Sequence, residues 1–353
     1  MPQLLSFFPV YDASQGRRSS KLKFWVPLKH LFPDLISSRQ VVHRKVGISA
    51  YYALKMVRHD LRKQLSMNDQ VTLFMDSGGY QLMTKHFSAK PNDIMNILRY
   101  QERNGADIAA TLDFPFRPEQ TSLWEGWRRI QITIKYAITA LQNREKFSMK
   151  LYAVIHGWDP LSTKKVAELL DKYDFDGYAL GAPEPENYGM SMPNYLLKLT
   201  QMIYGVKEII GEKPLHVFGI SNFAAIYLFA ALGVSSFDSL KYLHAAKFRN
   251  YILPNGWIAH IGRSAKSRKL SELPCSCPIC SEVDLAFMAA NGSVQGALLA
   301  LHNLTVIRNH VRLINSALVN GWYTELMKLG MKNFPNIVSS IEWLLKQSQN
   351  FLR

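Results

Sequence analysis

The chain has 353 residues, 48% of them hydrophobic, which is enough to bury a sizeable core. Its 42 Lys and Arg outnumber 27 Asp and Glu, for a formal charge of +15. That excess says little about fold but favours a polyanionic partner. In chain order, the first ten residues form a short apolar stretch with no basic residue ahead of it, which reads poorly as a signal peptide. A basic group follows, Arg17, Arg18, Lys21 and Lys23. The most apolar run, 223–234, is too short to span a bilayer, so a soluble cytoplasmic protein is expected.

Seven short β-rich runs then recur, at 46–50, 71–75, 107–112, 151–155, 177–181, 215–219 and 235–239. Between them lie segments of helical periodicity, among them 92–104, 122–142, 162–173, 195–210 and 222–232. This alternation implies parallel strands joined by helical crossovers. Seven candidate strands favour an α/β fold of the (β/α)8 TIM-barrel type over an open sheet. The rhythm breaks after Ser239: 241–274 is basic and loop-rich, with a turn at Pro254-Asn255-Gly256. Helices are expected over 294–318 and 336–353. The expected organisation is a single barrel domain over 1–353, with a metal-binding subdomain at about 241–310.

In a barrel, chemistry collects where strands end. The run 71–75 leads into Asp76-Ser77-Gly78-Gly79-Tyr80-Gln81, and 107–112 into Asp113. The later runs end at His156-Gly157, Gly181, Gly219 and Asp238. Any one of these aspartates could simply cap a helix. Three at one rim, beside glycines that admit a ligand to the backbone, suit glycosidic chemistry, with one acid attacking an anomeric carbon while another moves protons. A sugar hydrolase would share that pair.

All three cysteines lie in Cys275-x-Cys277-x-x-Cys280, and His302 follows after 21 intervening residues. Three thiolates and an imidazole would close a tetrahedral structural zinc site, stapling a loop excursion to the next helix. His310 is the competing fourth ligand.

These residues together resemble the tRNA-guanine transglycosylase superfamily. Asp76-Ser-Gly-Gly-Tyr-Gln resembles its DSGG[FY]Q motif, Phe237-Asp238-Ser239 its nucleophile motif, the Cys cluster with His302-Asn303 its zinc site, and Gly177–Gly181 its glycine-bearing pocket strand. The resemblance covers about residues 45–310. It implies Asp238 as the nucleophile holding a covalent glycosyl intermediate and Asp76 as general acid/base. Asp113 would read the donor edge of the base, with Ser77 beside it. Tyr80 and Phe218 would stack on the base's two faces, and Gly181 and Gly219 would bring backbone to the pocket. It also implies a homodimer and a free 7-deazaguanine as second substrate.

Departures from the bacterial tRNA enzymes narrow the resemblance. His156-Gly157-Trp158 replaces Gln-Gly-Gly, Ala182 stands where a second pocket glycine is expected, and Lys241–Arg249 replaces the basic motif after the nucleophile. The last, with Leu112-Asp113-Phe114-Pro115, looks closer to archaeal enzymes. DpdA-type proteins, which insert 7-cyano-7-deazaguanine or relatives into DNA, fit the departures better. DNA is therefore expected over tRNA, in a bacterial or phage-infected cytoplasm. Lys241, Lys247, Arg249, Arg263, Lys266, Arg268 and Lys269 are the candidate backbone-binding residues, and His156 and Trp158 would line the pocket for the deazaguanine substituent or pack structurally. A non-catalytic subunit is the competing reading; the presence of both Asp76 and Asp238 argues against it.

Overall fold

The computed structural model describes residues 2–11, 45–50, 61–64, 70–79, 91–181, 190–220, 222–262 and 270–351. Eight strands form a closed barrel in sequence order: β1 (Ser6–Tyr11), β2 (Lys45–Ser49), β3 (Thr72–Asp76), β4 (Ile108–Ala110), β5 (Lys150–Ile155), β6 (Gly177–Gly181), β7 (Leu215–Phe218) and β8 (Ser236–Ser239). Every neighbouring pair is parallel, and β1 closes on β8 with Phe8 opposite Asp238. The (β/α)8 expectation therefore holds.

The seven expected strands are all present. The eighth, β1, lies in the N-terminal stretch expected only to be apolar; it contains Pro9, which removes a ladder donor. Here Pro9 is paired in register with Ser239 at the closing seam.

The crossover helices are α1 (Pro91–Arg103), α2 (Leu123–Gln142), α3 (Pro160–Leu170), α4 (Met192–Ile210) and α5 (Phe223–Ala231). Their starts follow ordinary capping chemistry. Ser122 accepts from the Glu125 N–H, Asp159 and Ser162 form a reciprocal box, and Asn222 accepts from Ala224 N–H. Helix α5 is buried along nearly its whole length, which explains why it reads as uniformly apolar. No helix among the described residues is long and apolar enough to cross a membrane.

Past β8 the chain is more ordered than its composition suggests. Helix α6 (Lys241–Lys247) precedes an antiparallel hairpin, β9 (Asn250–Ile252) and β10 (Ile258–His260), which turns at Pro254–Gly256 as expected. Helix α7 (Ser293–Val319) follows, then α8 (Tyr323–Asn333) and α9 (Val338–Phe351).

Side-chain parity positions the site. Successive strand residues face opposite sides, so one file lines the barrel axis and the other meets the helices. The interior file contains Phe8, Phe74, Ala110, Tyr152, Val154, Ala179 and Phe218. Continued to the strand ends, the same parity turns Asp76, His156, Gly181 and Asp238 toward the barrel mouth. Phe237, one residue before Asp238, packs outward with Phe229 in the sheet–helix core.

Candidate active site and metal centre

Asp113 lies at the centre of the polar network in the mouth. Its Oδ1 accepts a 2.6 Å bond from Ser77 Oγ, and its Oδ2 lies 2.7 Å from His156 Nε2. All three side chains are buried. Ser77 Oγ in turn accepts from Gly79 N–H at 3.1 Å.

Two glycines make room for this pair. A Cβ on Gly79 would come within 2.3 Å of Asp113 Oδ1, and one on Gly181 within 2.2 Å of His156 Cε1. Gly181 thus accommodates an imidazole.

Asp76 ends β3 at a partly accessible position, enclosed by its neighbours. Burial pushes its carboxyl well above the usual range, and the nearby Asp113 and Asp238 charges push it further. Backbone N–H groups of Gly78 and Ser77 oppose that rise without cancelling it. Asp76 therefore holds a proton more firmly than an ordinary aspartate.

Asp238 sits opposite, on β8. Its Oδ1 accepts from Gly219 N–H at 2.5 Å and lies 3.8 Å from His216 Nε2. Gly219 has φ +69, a left-handed conformation natural to glycine. Its N–H donates to the carboxylate. Neither Asp113 nor Asp238 caps a helix; their carboxylates bond within the mouth.

Phe218 is half-buried beside these groups, with ring centroids 5.9 Å from Phe74 and 4.9 Å from His216. Trp158 packs edge-on to Trp127 and Phe116, with ring centroids 5.1 and 6.1 Å away. Lys241 is largely buried, and burial lowers its pKa. Lys247 is exposed, and Arg249 donates to Gly292 O at 3.4 Å from a left-handed backbone of φ +56. Tyr80, Ala182, Arg263, Lys266, Arg268 and Lys269, with the basic group at 17–23, lie outside the described residues.

Two positions of the site have no sequence motif. His216 and Gln101 are fully buried. The Gln101 amide donates to Met75 O and Ala110 O, at 3.0 and 3.1 Å, bridging the strands that carry Asp76 and Asp113. The signal available for His216 was a polar residue on an inward parity position, two before Phe218.

Beyond β8 in the chain, the three cysteines and His302 bring one ligand atom each within 4.8 Å of one another. His302 Nδ1 lies 3.4 Å from Cys277 Sγ and 3.3 Å from Cys280 Sγ. A tetrahedral metal with bonds of about 2.3 Å to sulfur and about 2.0 Å to nitrogen would need about 3.5 Å for that edge, so the residues fit a bound metal ion.

The surroundings fit as well. His302 Nε2 bonds Ile252 O at 2.8 Å, which directs the Nδ1 lone pair at the thiols. Tyr251 stacks on the imidazole at 3.9 Å and 14°, and its hydroxyl lies 3.3 Å from Cys280 Sγ. Hydrogen bonding to Cys277 holds the Cys275 thiol far down, while hydrogen bonding with Cys275 holds Cys280 far up. His310, the competing ligand, instead bonds Pro254 O at 2.8 Å.

Asn303 connects this centre to the mouth. Its Oδ1 accepts from Ile252 N–H at 2.8 Å, and its amide donates to Asn250 O at 3.0 Å and Tyr242 O at 3.3 Å. The adjacent His-Asn pair therefore binds the metal cluster, the hairpin and helix α6, which follows directly after Asp238.

Comparison with known proteins agrees with this arrangement. The family model for queuine tRNA-ribosyltransferase matches residues 52–336. Among curated relatives, the tRNA-guanine(15) transglycosylase of Methanosphaera stadtmanae is 28% identical over 284 residues, covering 80% of this chain and 40% of the relative. Those of Korarchaeum cryptofilum and Pyrobaculum aerophilum are 27% and 28% identical, covering 99% and 94% of this chain and 56% and 62% of theirs. The chain thus spans from about two fifths to three fifths of the length of these relatives. With a family match across most of its length, laid over a barrel whose acids and cysteine cluster stand in the order described, the chain belongs to the queuine tRNA-ribosyltransferase family.

Proposed function

We propose that this chain is a guanine transglycosylase, exchanging a guanine in a nucleic acid for a free 7-deazaguanine base. The observation that carries this reading is the opposition of Asp238 and Asp76 across the barrel mouth. One carboxylate is held by a backbone N–H, while the other has its proton affinity raised by burial and neighbouring charge.

In this reading the target nucleotide is first flipped out of its stack. Asp238 attacks C1′, the C1′–N9 bond breaks, and guanine leaves with its electron pair and a proton delivered from Asp76. The incoming base then attacks C1′ through N9. Its N9 proton passes to Asp76, and the pair in the ester bond returns to Asp238 as carboxylate. Asp113, oriented by Ser77 and His156, accepts N–H donors of the base, while Phe218 and Tyr80 supply its stacking faces. Lys241, Lys247 and Arg249, following the nucleophile, hold backbone phosphates. The cysteine cluster with His302 takes zinc in a closed, structural role.

The names of the archaeal relatives favour tRNA as the polynucleotide. The finer reading, DNA receiving 7-cyano-7-deazaguanine, is supported only by the departures at His156–Trp158 and Ala182. One experiment separates the two. Labelled guanine or 7-cyano-7-deazaguanine is offered with unmodified tRNA, single-stranded DNA and duplex DNA. Label in tRNA alone fixes the RNA substrate; label in DNA alone assigns the chain to DNA. Asp238→Ala should abolish incorporation into either while leaving nucleic-acid binding intact, and exchange surviving that change would refute the mechanism.

A further inference from the structure

We infer that His216 is a positioning residue for Asp238: its Nε2–H and the Gly219 N–H form a two-donor cradle for Oδ1, leaving Oδ2 to make and break the glycosyl bond. The inference deepens the reading of Asp238 as nucleophile and rests on it.

His216 faces inward from β7 and is fully buried. Its ring stacks on Phe74 at 4.2 Å and 21°, with Phe8 and Phe218 edge-on at 6.0 and 4.9 Å. From β8 it meets Ser236 and Asp238, and Asp238 is the charged group that faces it among the described residues. Nothing in that aromatic layer calls for an imidazole, and burying one costs free energy unless its nitrogens are paired.

One nitrogen is paired: Nδ1 lies 2.8 Å from Ser236 Oγ. The other, Nε2, has no hydrogen-bond partner among the described residues and lies 3.8 Å from Asp238 Oδ1.

The tautomer follows from the neighbours. A proton on Nδ1 would turn the Nε2 lone pair on a carboxylate, which is repulsive. With Ser236 donating to Nδ1, Nε2 carries the proton and aims it at Oδ1. An approach of about 1 Å brings the pair to hydrogen-bond length, and catalytic hydrogen bonds commonly tighten this way when substrate arrives.

The chemical consequence is directional. Oδ1 is held by Gly219 and His216, so Oδ2 is the oxygen that attacks C1′. In the covalent intermediate Oδ1 is the ester carbonyl and stays in the cradle. When the incoming base displaces Asp238, the ester bond's electron pair returns to the carboxylate, and the two N–H groups stabilise the charge developing there.

Two measurements test the cradle. In the full chain labelled with 15N-histidine, His216 should be neutral and protonated at Nε2, with that resonance displaced by Asp238→Asn. A proton on Nδ1, or a signal indifferent to Asp238→Asn, overturns the cradle whether or not the chain exchanges bases. In the exchange assay, His216→Phe keeps the ring stack but removes the donor. It should lower kcat by about a hundredfold to a thousandfold with KM for the free base unchanged, the scale of losing one such donor. His216→Gln, which restores an N–H, should recover part of the loss. An unchanged kcat in His216→Phe, or equal losses in both variants together with a lowered Tm, would show a purely structural residue. Absence of exchange in the wild-type chain would count against the transglycosylase reading, and the tautomer measurement would still decide the cradle.

Discussion

Asp113 and His156 meet at 2.7 Å inside the barrel mouth, and each is held in place by a residue on another strand or loop: Ser77 bonds the aspartate's second oxygen, and Gly181 leaves the space the imidazole occupies. The pair joins the end of β4 to the end of β5.

Removing the imidazole should therefore act on the base subsite rather than on the nucleophile. His156→Ala leaves a buried carboxylate with one hydrogen-bond partner fewer, a change that costs about 1–3 kcal/mol. We expect KM for the free base to rise at least about tenfold, and His156→Gln, which keeps a donor, to lose less. Steady-state kinetics against free base and against nucleic acid would separate this from a general loss of activity.

Gly181→Ala drives a methyl into the same imidazole, at 2.2 Å from Cε1. Overpacking of this kind costs about 1–3 kcal/mol. The double variant Gly181→Ala/His156→Ala should recover much of the stability lost by the single glycine change. A thermal-unfolding cycle that came out additive would mean that the two residues do not compete for space.

Asp76 carries a stability prediction with a definite sign. Its folded carboxyl binds a proton more tightly than the unfolded one, through burial first and the Asp113 and Asp238 charges second. Between the ordinary carboxylate range and the raised value, the folded state holds more protons, so stability falls as pH rises through that window. Asp76→Asn removes the penalty. Its Tm should exceed that of the unchanged chain at neutral pH and converge with it in acid, while exchange is lost. An equal Tm difference at all pH values would contradict the assignment.

Metal analysis of the purified chain should find about one zinc per chain, falling to near zero in Cys277→Ser. His302→Ala should behave similarly, and it also strips Ile252 O of its partner, a further cost of about 1–3 kcal/mol. Because Asn303 ties the same region to Tyr242 O, chelation should slow exchange as well as lower Tm. Full activity in a metal-free chain would break that connection.

Much of this was readable in the chain itself, for a physical reason. Strand-end motifs are contiguous, so Asp76-Ser77-Gly78-Gly79 and Phe237-Asp238 announce themselves, and three cysteines within six residues do the same. Residues that act from inside a strand give no such notice. His216 and Gln101 are single polar letters within apolar or helical patterns, and their importance exists only once β3, β4, β7 and β8 are side by side. Gly181 and Gly219 show the limit of a glycine as a signal: it reveals that something comes close, but not whether that is a ligand, an imidazole or a carboxylate. Strand β1 shows in the sequence only as an apolar stretch: Pro9 weakens its local strand signal, and its pairing with β8 exists only once the barrel closes.

That closure has a kinetic corollary. The strand bearing Asp238 completes its ladder only against residues 6–9, made more than two hundred residues earlier, and Asn315 on α7 clasps Leu5 through both N–H and carbonyl at 2.9 Å. Contacts so distant in sequence form late, since loop closure must precede them. On the ribosome the first strand therefore waits, unpaired on one side, until β8 and then α7 emerge. Asp238 is among the last groups of the mouth to be fixed, and a nascent chain cannot complete the mouth before β8 and α7 have emerged.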